Sequence, residues 1–183
     1  MNMSLSDFRV VTPAERGFSA AEARVGKTFV KFNNLAAAEL GYPDYVRLLI
    51  GRDGSTLVLQ PTDRSDSNAI PFMFGLTADD LTGRKKWIRI TNRQLGIIIQ
   101  EKANWEMPAS ANAAKRFYAV PWVEQGALIF DLQKPIPARQ RNSFLSADDI
   151  LYTYEKAAQD MYLVPVSSMN TGINSAQFIP IGA

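Results

Sequence analysis

The stretch Lys27–Asp63, KTFVKFNNLAAAELGYPDYVRLLIGRDGSTLVLQPTD, constrains the fold more than any other part of the chain. Phe29, Val30 and Phe32 make a β-favouring run. Asn33-Asn34 then suit a helix N-cap, Leu35 to Leu40 give about two turns, and Gly41 suits the left-handed residue that follows a helix. Pro43 forbids continuation. Tyr45 to Ile50 and Thr56 to Gln60 are apolar strand runs. Arg52-Asp53-Gly54 between them predicts a hairpin turn, because glycine takes positive φ without steric cost. Pro61 ends the second strand. Strand, helix and hairpin are therefore expected in that order.

A degenerate copy starts near Lys85. Lys85-Lys-Trp87-Ile-Arg89-Ile-Thr-Asn92 matches Lys27-Thr-Phe29-Val-Lys31-Phe-Asn-Asn34, apolar and basic positions agreeing in order. A helical stretch, Arg93 to about Trp105, and a polar insert, Glu106 to Ala114, come next. A second hairpin follows: Phe117 to Val123, a Glu124-Gln125-Gly126 turn, and Leu128 to Leu132, closed by Pro135-Ile-Pro137. Ser146-Ala-Asp-Asp149-Ile150 echoes Thr77-Ala-Asp-Asp80-Leu81, each a capped helix start with acids at its N-terminus. Each half is then strand–helix–hairpin–capped helix, and neither half alone covers its own apolar face. The expectation is an α+β fold in which two duplicated units share one β core about a pseudo-two-fold axis. Leu48, Leu57, Ile88 and Ile129 are its predicted core residues.

The division expected is a lead-in over 1–26, a first repeat over 27–83, a second over 84–145, and a C-terminal helix and tail over 146–183. In the lead-in, Val10-Val11 predicts a short edge strand, and Ser19-Ala-Ala-Glu22 fits a capping box that would start one or two helical turns ending at Gly26. Ile150, Leu151, Tyr154, Ala157, Ala158 and Met161 form a helical stripe expected to pack on the core. Leu163 to Val166 and Gln177 to Ile181 are further strand candidates. Thr62 to Phe74 reads as loop. Within it, Asp63-Arg-Ser-Asp66-Ser-Asn68 resembles a calcium loop only superficially, with Phe74 where a bidentate Glu belongs, so it reads as a surface turn.

Composition removes several chemistries. The chain has no cysteine and no histidine. Disulfides, thiolate sites, Cys/His zinc sites and Ser-His-Asp catalysis are thereby excluded. The commonest general base is missing too. Carboxylate pairs with a hard cation and a Ser-Lys dyad remain open, but the expectation is a non-enzymatic protein with no catalytic residues, no metal and no cofactor. No apolar run approaches the ~20 residues of a membrane span, and Met1-Asn-Met-Ser-Leu-Ser-Asp-Phe-Arg-Val-Val11 has no charged n-region or apolar h-region. A cytoplasmic protein is expected.

Net charge is only +2, yet it is unevenly spread. Up to Gly83 there are eight Lys/Arg against ten Asp/Glu; from Arg84 to Arg141 there are eleven against four; from Asn142 on there is one against four. A basic middle between acidic ends suits nucleic acid or an acidic protein face. Arg84, Lys85, Lys86, Arg89 and Arg93 form the densest cluster, with Lys115 and Arg116 joining across the insert and Arg139 and Arg141 further on. These are the candidate phosphate contacts, which give affinity and register without sequence information. If Trp87 to Thr91 is a strand, Lys86, Ile88 and Ile90 share one face and Trp87, Arg89 and Thr91 the other. Trp87, Trp105 and Trp122 are candidates for base stacking or for core. Arg47, alternating with apolar neighbours, is expected on the solvent side.

Phe29-Val-Lys-Phe32, Leu35 to Gly41 and the hairpin Tyr45–Pro61 with its Asp53-Gly54 turn resemble the AbrB/SpoVT family of swapped-hairpin DNA-binding domains. In that family a strand, a short helix ending in Leu-Gly and a hairpin interlock with a second copy. The MraZ-like branch carries both copies in one chain, so the resemblance spans roughly Lys27–Pro135. It implies a swapped-hairpin-like barrel with peripheral helices, either a monomer holding an internal pseudo-dimer or a homodimer. It also implies a regulator that binds double-stranded DNA. The family's arginine-rich first strand and helix have no match in Leu35-Ala-Ala-Ala-Glu-Leu40, and the basic residues gather in the second copy instead. The first repeat is also similar in style to small phage and mobile-element proteins, some of which inhibit host defence nucleases as anti-CRISPR proteins do. An inhibitor that binds a nucleic-acid-handling host protein, with or without nucleic acid, is therefore the alternative.

Overall fold

A computed structural model describes residues 20–81, 87–91, 95–106, 110, 113–136, 147–159, 162–165 and 179–180. Strands β1 (Glu22–Gly26) and β2 (Phe29–Asn33) lead into helix α1 (Asn34–Glu39) and the hairpin β3 (Tyr45–Gly51) and β4 (Thr56–Pro61). A two-residue strand β5 (Ile70–Pro71) and a 3₁₀ turn at Ala78–Leu81 follow. Then come β6 (Trp87–Thr91), helix α2 (Leu95–Lys102), the hairpin β7 (Ala114–Trp122) and β8 (Ala127–Asp131), helix α3 (Ala147–Gln159), β9 (Tyr162–Pro165) and β10 (Ile179–Pro180). The order strand–helix–hairpin thus occurs twice, as β2-α1-β3-β4 and as β6-α2-β7-β8.

Eight strands in the order β6-β2-β1-β7-β8-β4-β3-β9 form one antiparallel, nearly closed, barrel-like sheet, with β10 beside β9 and β5 beside β3. Period-two alternation builds its interior. Val30 and Phe32, Val46, Leu48 and Ile50, Leu57 and Leu59, Ile88 and Ile90, and Leu128 and Phe130 all point into a single buried cluster. Curling of the sheet is visible in one contact. Phe32 on β2 and Phe130 on β8 meet at 5.8 Å between ring centroids, although β1 and β7 lie between their strands. The four expected core residues, Leu48, Leu57, Ile88 and Ile129, are buried.

Helices α1 and α2 pack onto the barrel interior. Asn33 caps α1 by accepting the Ala36 amide on Oδ1 at 3.0 Å, and the same oxygen accepts the Glu22 amide at 3.0 Å. Ala36 and Ala37 of α1 and Leu95 and Ile99 of α2 join the interior cluster. α2 runs from the β1–β2 turn to the β3–β4 turn. Gly96 lies so close to the carbonyls of Gly26 and Lys27 that a Cβ has no room, and Gly54, with φ of 72°, lies equally close to the Lys102 carbonyl. The expected glycine of the first hairpin turn is thus needed twice, for its dihedral and for the helix above it.

The two hairpins lie in one sheet, joined through β4 and β8. Leu48↔Leu59, Leu49↔Val58 and Ile50↔Leu57 in the first have Ala119↔Phe130, Val120↔Ile129 and Pro121↔Leu128 as equivalents in the second, at one constant sequence offset. At that offset Val58 corresponds to Ile129, and these two residues face each other across the β4–β8 seam. At the β2–β6 seam Lys31 faces Arg89, its match in the sequence alignment.

Two expectations are corrected. Residues 22–26 form a strand, not helical turns. Ala21, Ala23 and Val25 are buried in the interior while Glu22 and Arg24 face outward, and Asn33 takes the Glu22 amide that a capping box would have used. The stripe on α3 is also rotated from the one expected. Thr153 and Ala157 are buried, whereas Ile150 and Leu151 are exposed. Polar ties set this rotation: Lys156 reaches Asp131 of β8 at 3.0 Å, and Tyr154 Oη donates to Glu124 at 2.9 Å. Val10-Val11, Ser146 and Met161 lie outside the described residues.

Candidate nucleic-acid interface

The outward side chains of β7, β1, β2 and β6 form a grid fixed by strand register. Arg116 pairs with Arg24, Arg24 with Lys31, and Lys31 with Arg89. Four cations therefore stand in one line across four neighbouring strands. At about 4.8 Å per strand the line is about 14 Å long. The row on one side is Tyr118, Glu22, Asn33 and Trp87; the row on the other is Ala114, Gly26, Phe29 and Thr91.

Like charges placed directly opposite on a sheet destabilise it. This line has three such pairs in succession, and their neighbours offset the repulsion. Glu22, 6% exposed, accepts from Arg116 Nε and Nη2 at 2.7 and 2.8 Å, a two-pronged pairing, and from Arg24 Nε at 3.0 Å. Burial pushes the Glu22 carboxyl up, but the hydrogen bonds and charges of Arg116 and Arg24 outweigh this and hold it below its ordinary value. Glu22 in turn holds Arg116 more firmly in its charged form. The Arg24 guanidinium lies 4.1 Å over the Trp87 ring. Arg89 and Lys31 lie 4.4 and 4.8 Å over Phe29, which is only 3% exposed beneath them. The line carries four positive charges against one negative charge, with rings under three of its members or beside them.

Of the expected site residues, Arg89 and Arg116 occupy the two ends of this line. Arg84, Lys85, Lys86, Arg93, Arg139 and Arg141 lie outside the described residues. Lys115 does not join: its register partner is Val25, it shares the parity of inward Phe117, and its ammonium sits 4.7 Å over Trp105 near the barrel end. Trp105 stacks on Phe117 and donates Nε1–H to the Leu132 carbonyl, and Trp122 is buried, so neither is a stacking platform. Only Trp87 of the three belongs to the grid. Arg24 and Lys31, the middle of the line, are absent from the expected set. Lys31 was readable, since it sits between inward Val30 and Phe32 and aligns with Arg89. Arg24 was hidden by the helix expected over its segment.

Other polar clusters have structural employment. Arg47, expected at solvent, is half-buried and binds Gln60 at 2.8 and 3.0 Å and Asp66 at 3.3 Å. Asp66 also accepts from Thr62 Oγ1 and the Asn68 amide, which makes the calcium-like stretch a hydrogen-bonded turn. Among the described residues no three acidic side chains gather as a metal site, and no helix is long and apolar enough to cross a membrane. No protein-family model matches this chain, and neither a curated protein nor a solved structure matches it.

Proposed function

We propose that this protein is a non-enzymatic, nucleic-acid-binding regulator that holds backbone phosphates on the line Arg116, Arg24, Lys31 and Arg89. One observation carries the reading: three successive like-charge pairs, in register, on one outer sheet face. Such pairs work against folding, and a polyanion is the ligand that turns them to use. Glu22, Trp87 and Phe29 position the cations and leave a surplus of positive charge for it. In this reading the two halves are copies of an AbrB-like strand–helix–hairpin unit, closed on each other within one chain. The support is that Lys31 faces Arg89 and Val58 faces Ile129, each residue opposite its equivalent, as a two-fold axis requires.

Binding of the full chain to mixed-sequence DNA, single- and double-stranded, over a range of salt tests this. On duplex the logarithm of affinity should fall with the logarithm of salt by about 0.9 per phosphate contact, up to a slope near −3.6 for four contacts. Absence of salt-dependent binding to either form at low ionic strength refutes the reading. A second reading, an inhibitor docked on a nucleic-acid-handling protein, is favoured by the exposed Ile150, Leu151 and Tyr152 of α3. It predicts capture of a protein from lysate that survives nuclease treatment and is lost on Leu151→Ser.

A further inference from the structure

We infer that the strand held on this face is single, a deepening that rests on the nucleic-acid reading above. The major groove of a duplex, about 12 Å wide and 8.5 Å deep, admits a helix or a two-stranded ribbon, and the minor groove is about half as wide. The line here spans four strands, about 14 Å, on the outer side of a barrel. The described helices do not project from it. α1 and α2 send Ala36, Ala37, Leu95 and Ile99 into the interior, and α3 lies on the sheet at β7 and β8. Two convex bodies, barrel and duplex, meet over few phosphates. A flexible single strand follows a convex line along its whole length.

The chemistry beside the line also suits a single strand. A single strand exposes base faces, and proteins hold them on aromatic rings and on guanidinium planes. Trp87 is half-buried at the β6 end of the adjoining row, with the Arg24 guanidinium lying 4.1 Å over its ring. A base placed there stacks on this pair while its phosphates reach Lys31 and Arg89 one row away. A paired duplex keeps its base faces internal and has no use for Trp87. Because every base has a π-face, the platform is tolerant of sequence, and the specificity it gives is for strand state.

The experiment is fluorescence anisotropy with a labelled mixed-sequence oligonucleotide, single-stranded and annealed to its complement, using the full chain at two salt concentrations. The single strand should bind at least about tenfold more tightly, with a salt slope near −0.7 per contact against −0.9 for the duplex. Trp87→Leu should weaken single-strand binding by about 5- to 150-fold, the range carried by one base–aromatic stack, and leave duplex binding within about twofold. Tryptophan fluorescence of the unsubstituted protein should be quenched by the single strand, a readout that needs no variant. Equal or tighter binding of the duplex overturns the inference and leaves the nucleic-acid reading standing, as does an equal loss on both forms in Trp87→Leu. Binding to neither form overturns both.

Discussion

The barrel wall has two outer faces of opposite character. Over β3, β4, β8 and β7 the apolar outward residues are Leu49, Val58, Ile129, Ala127, Val120 and Trp122, and α3 covers them with Ala157 and Tyr154. Over β7, β1, β2 and β6 the outward residues at the centre are Arg116, Arg24, Lys31 and Arg89. β7 belongs to both, its first half paired with β1 and its second with β8. Each face contains a seam between the two strand–helix–hairpin segments: Val58 against Ile129 at the centre of one, and Lys31 against Arg89 at the β6 edge of the other. The apolar seam takes a helix as its cover and returns stability. The cationic seam sets like charges opposite one another, which works against stability.

The largest expected effect is at the centre of the covered face. Ile129 is fully buried. Ile129→Ala should lower stability by about 2–5 kcal/mol, measured as a shift of the denaturant midpoint at unchanged slope. A loss under about 0.5 kcal/mol would mean that α3 does not cover this seam. The polar tie of the same face comes second. Lys156 is the cation beside Asp131 Oδ1, and Asp131 is only 6% exposed. Lys156→Met keeps the stem and removes the charge, leaving a buried carboxylate with the Gln133 amide on that oxygen. A cost of about 1–3 kcal/mol is expected from the same melt. No change would place the tie among exposed ion pairs, which are worth little.

The contrast between the faces also explains what the sequence disclosed. Strands and turns announced themselves wherever local chemistry decides: the Asn33 cap, the Gly41 and Gly54 conformations, and the outward Arg89 between Ile88 and Ile90 all stand as expected. β1 did not, because Ser19-Ala-Ala-Glu22 is good local capping chemistry. Its conversion into a strand depends on Asn33 and Arg116, 11 and 94 residues away. The site was half legible for the same reason. A basic cluster is visible along the chain, but a line running across four strands is assembled by register, and the sequence separates Arg24 and Lys31 widely from Arg89 and Arg116. The rotation of α3 was hidden too, since the partners that set it, Asp131 and Glu124, lie on the second hairpin.

The carboxylate of the cationic face gives a smaller, pH-dependent effect. Arg116 and Arg24 hold Glu22 below its ordinary value despite burial. A carboxyl so lowered contributes stability that is present above its unfolded value, about 4.3, and is lost as pH falls through the folded one. Glu22→Gln should therefore cost about 0.5–1.5 kcal/mol at pH 7, the scale of a net hydrogen bond. Variant and parent should converge in melts taken at progressively more acidic pH. A constant difference down to the acid limit would show that the loss is one of packing. The same variant removes the one negative charge of the grid, so its affinity for single-stranded DNA at pH 7 should rise.

The smallest effect is the most diagnostic, because its sign is opposite to that of most substitutions. Lys31 faces like charges on both sides, Arg24 and Arg89, and the one carboxylate of the grid, Glu22, is held by Arg24 and Arg116. Lys31→Met removes the charge while an unbranched apolar side chain of similar length stays over Phe29. Relief of two like-charge pairs should stabilise the fold by about 0.2–1 kcal/mol at low salt. The gain should shrink as salt rises, since screening already weakens the repulsion in the parent. Affinity for nucleic acid should move the other way, with the salt slope flattened by about 0.7 on a single strand or 0.9 on a duplex. Stability and binding thus trade against each other at one position. If Lys31→Met is destabilising at every ionic strength, the ammonium is held by the fold for the fold's sake, and the cationic seam would then be as structural as the apolar one.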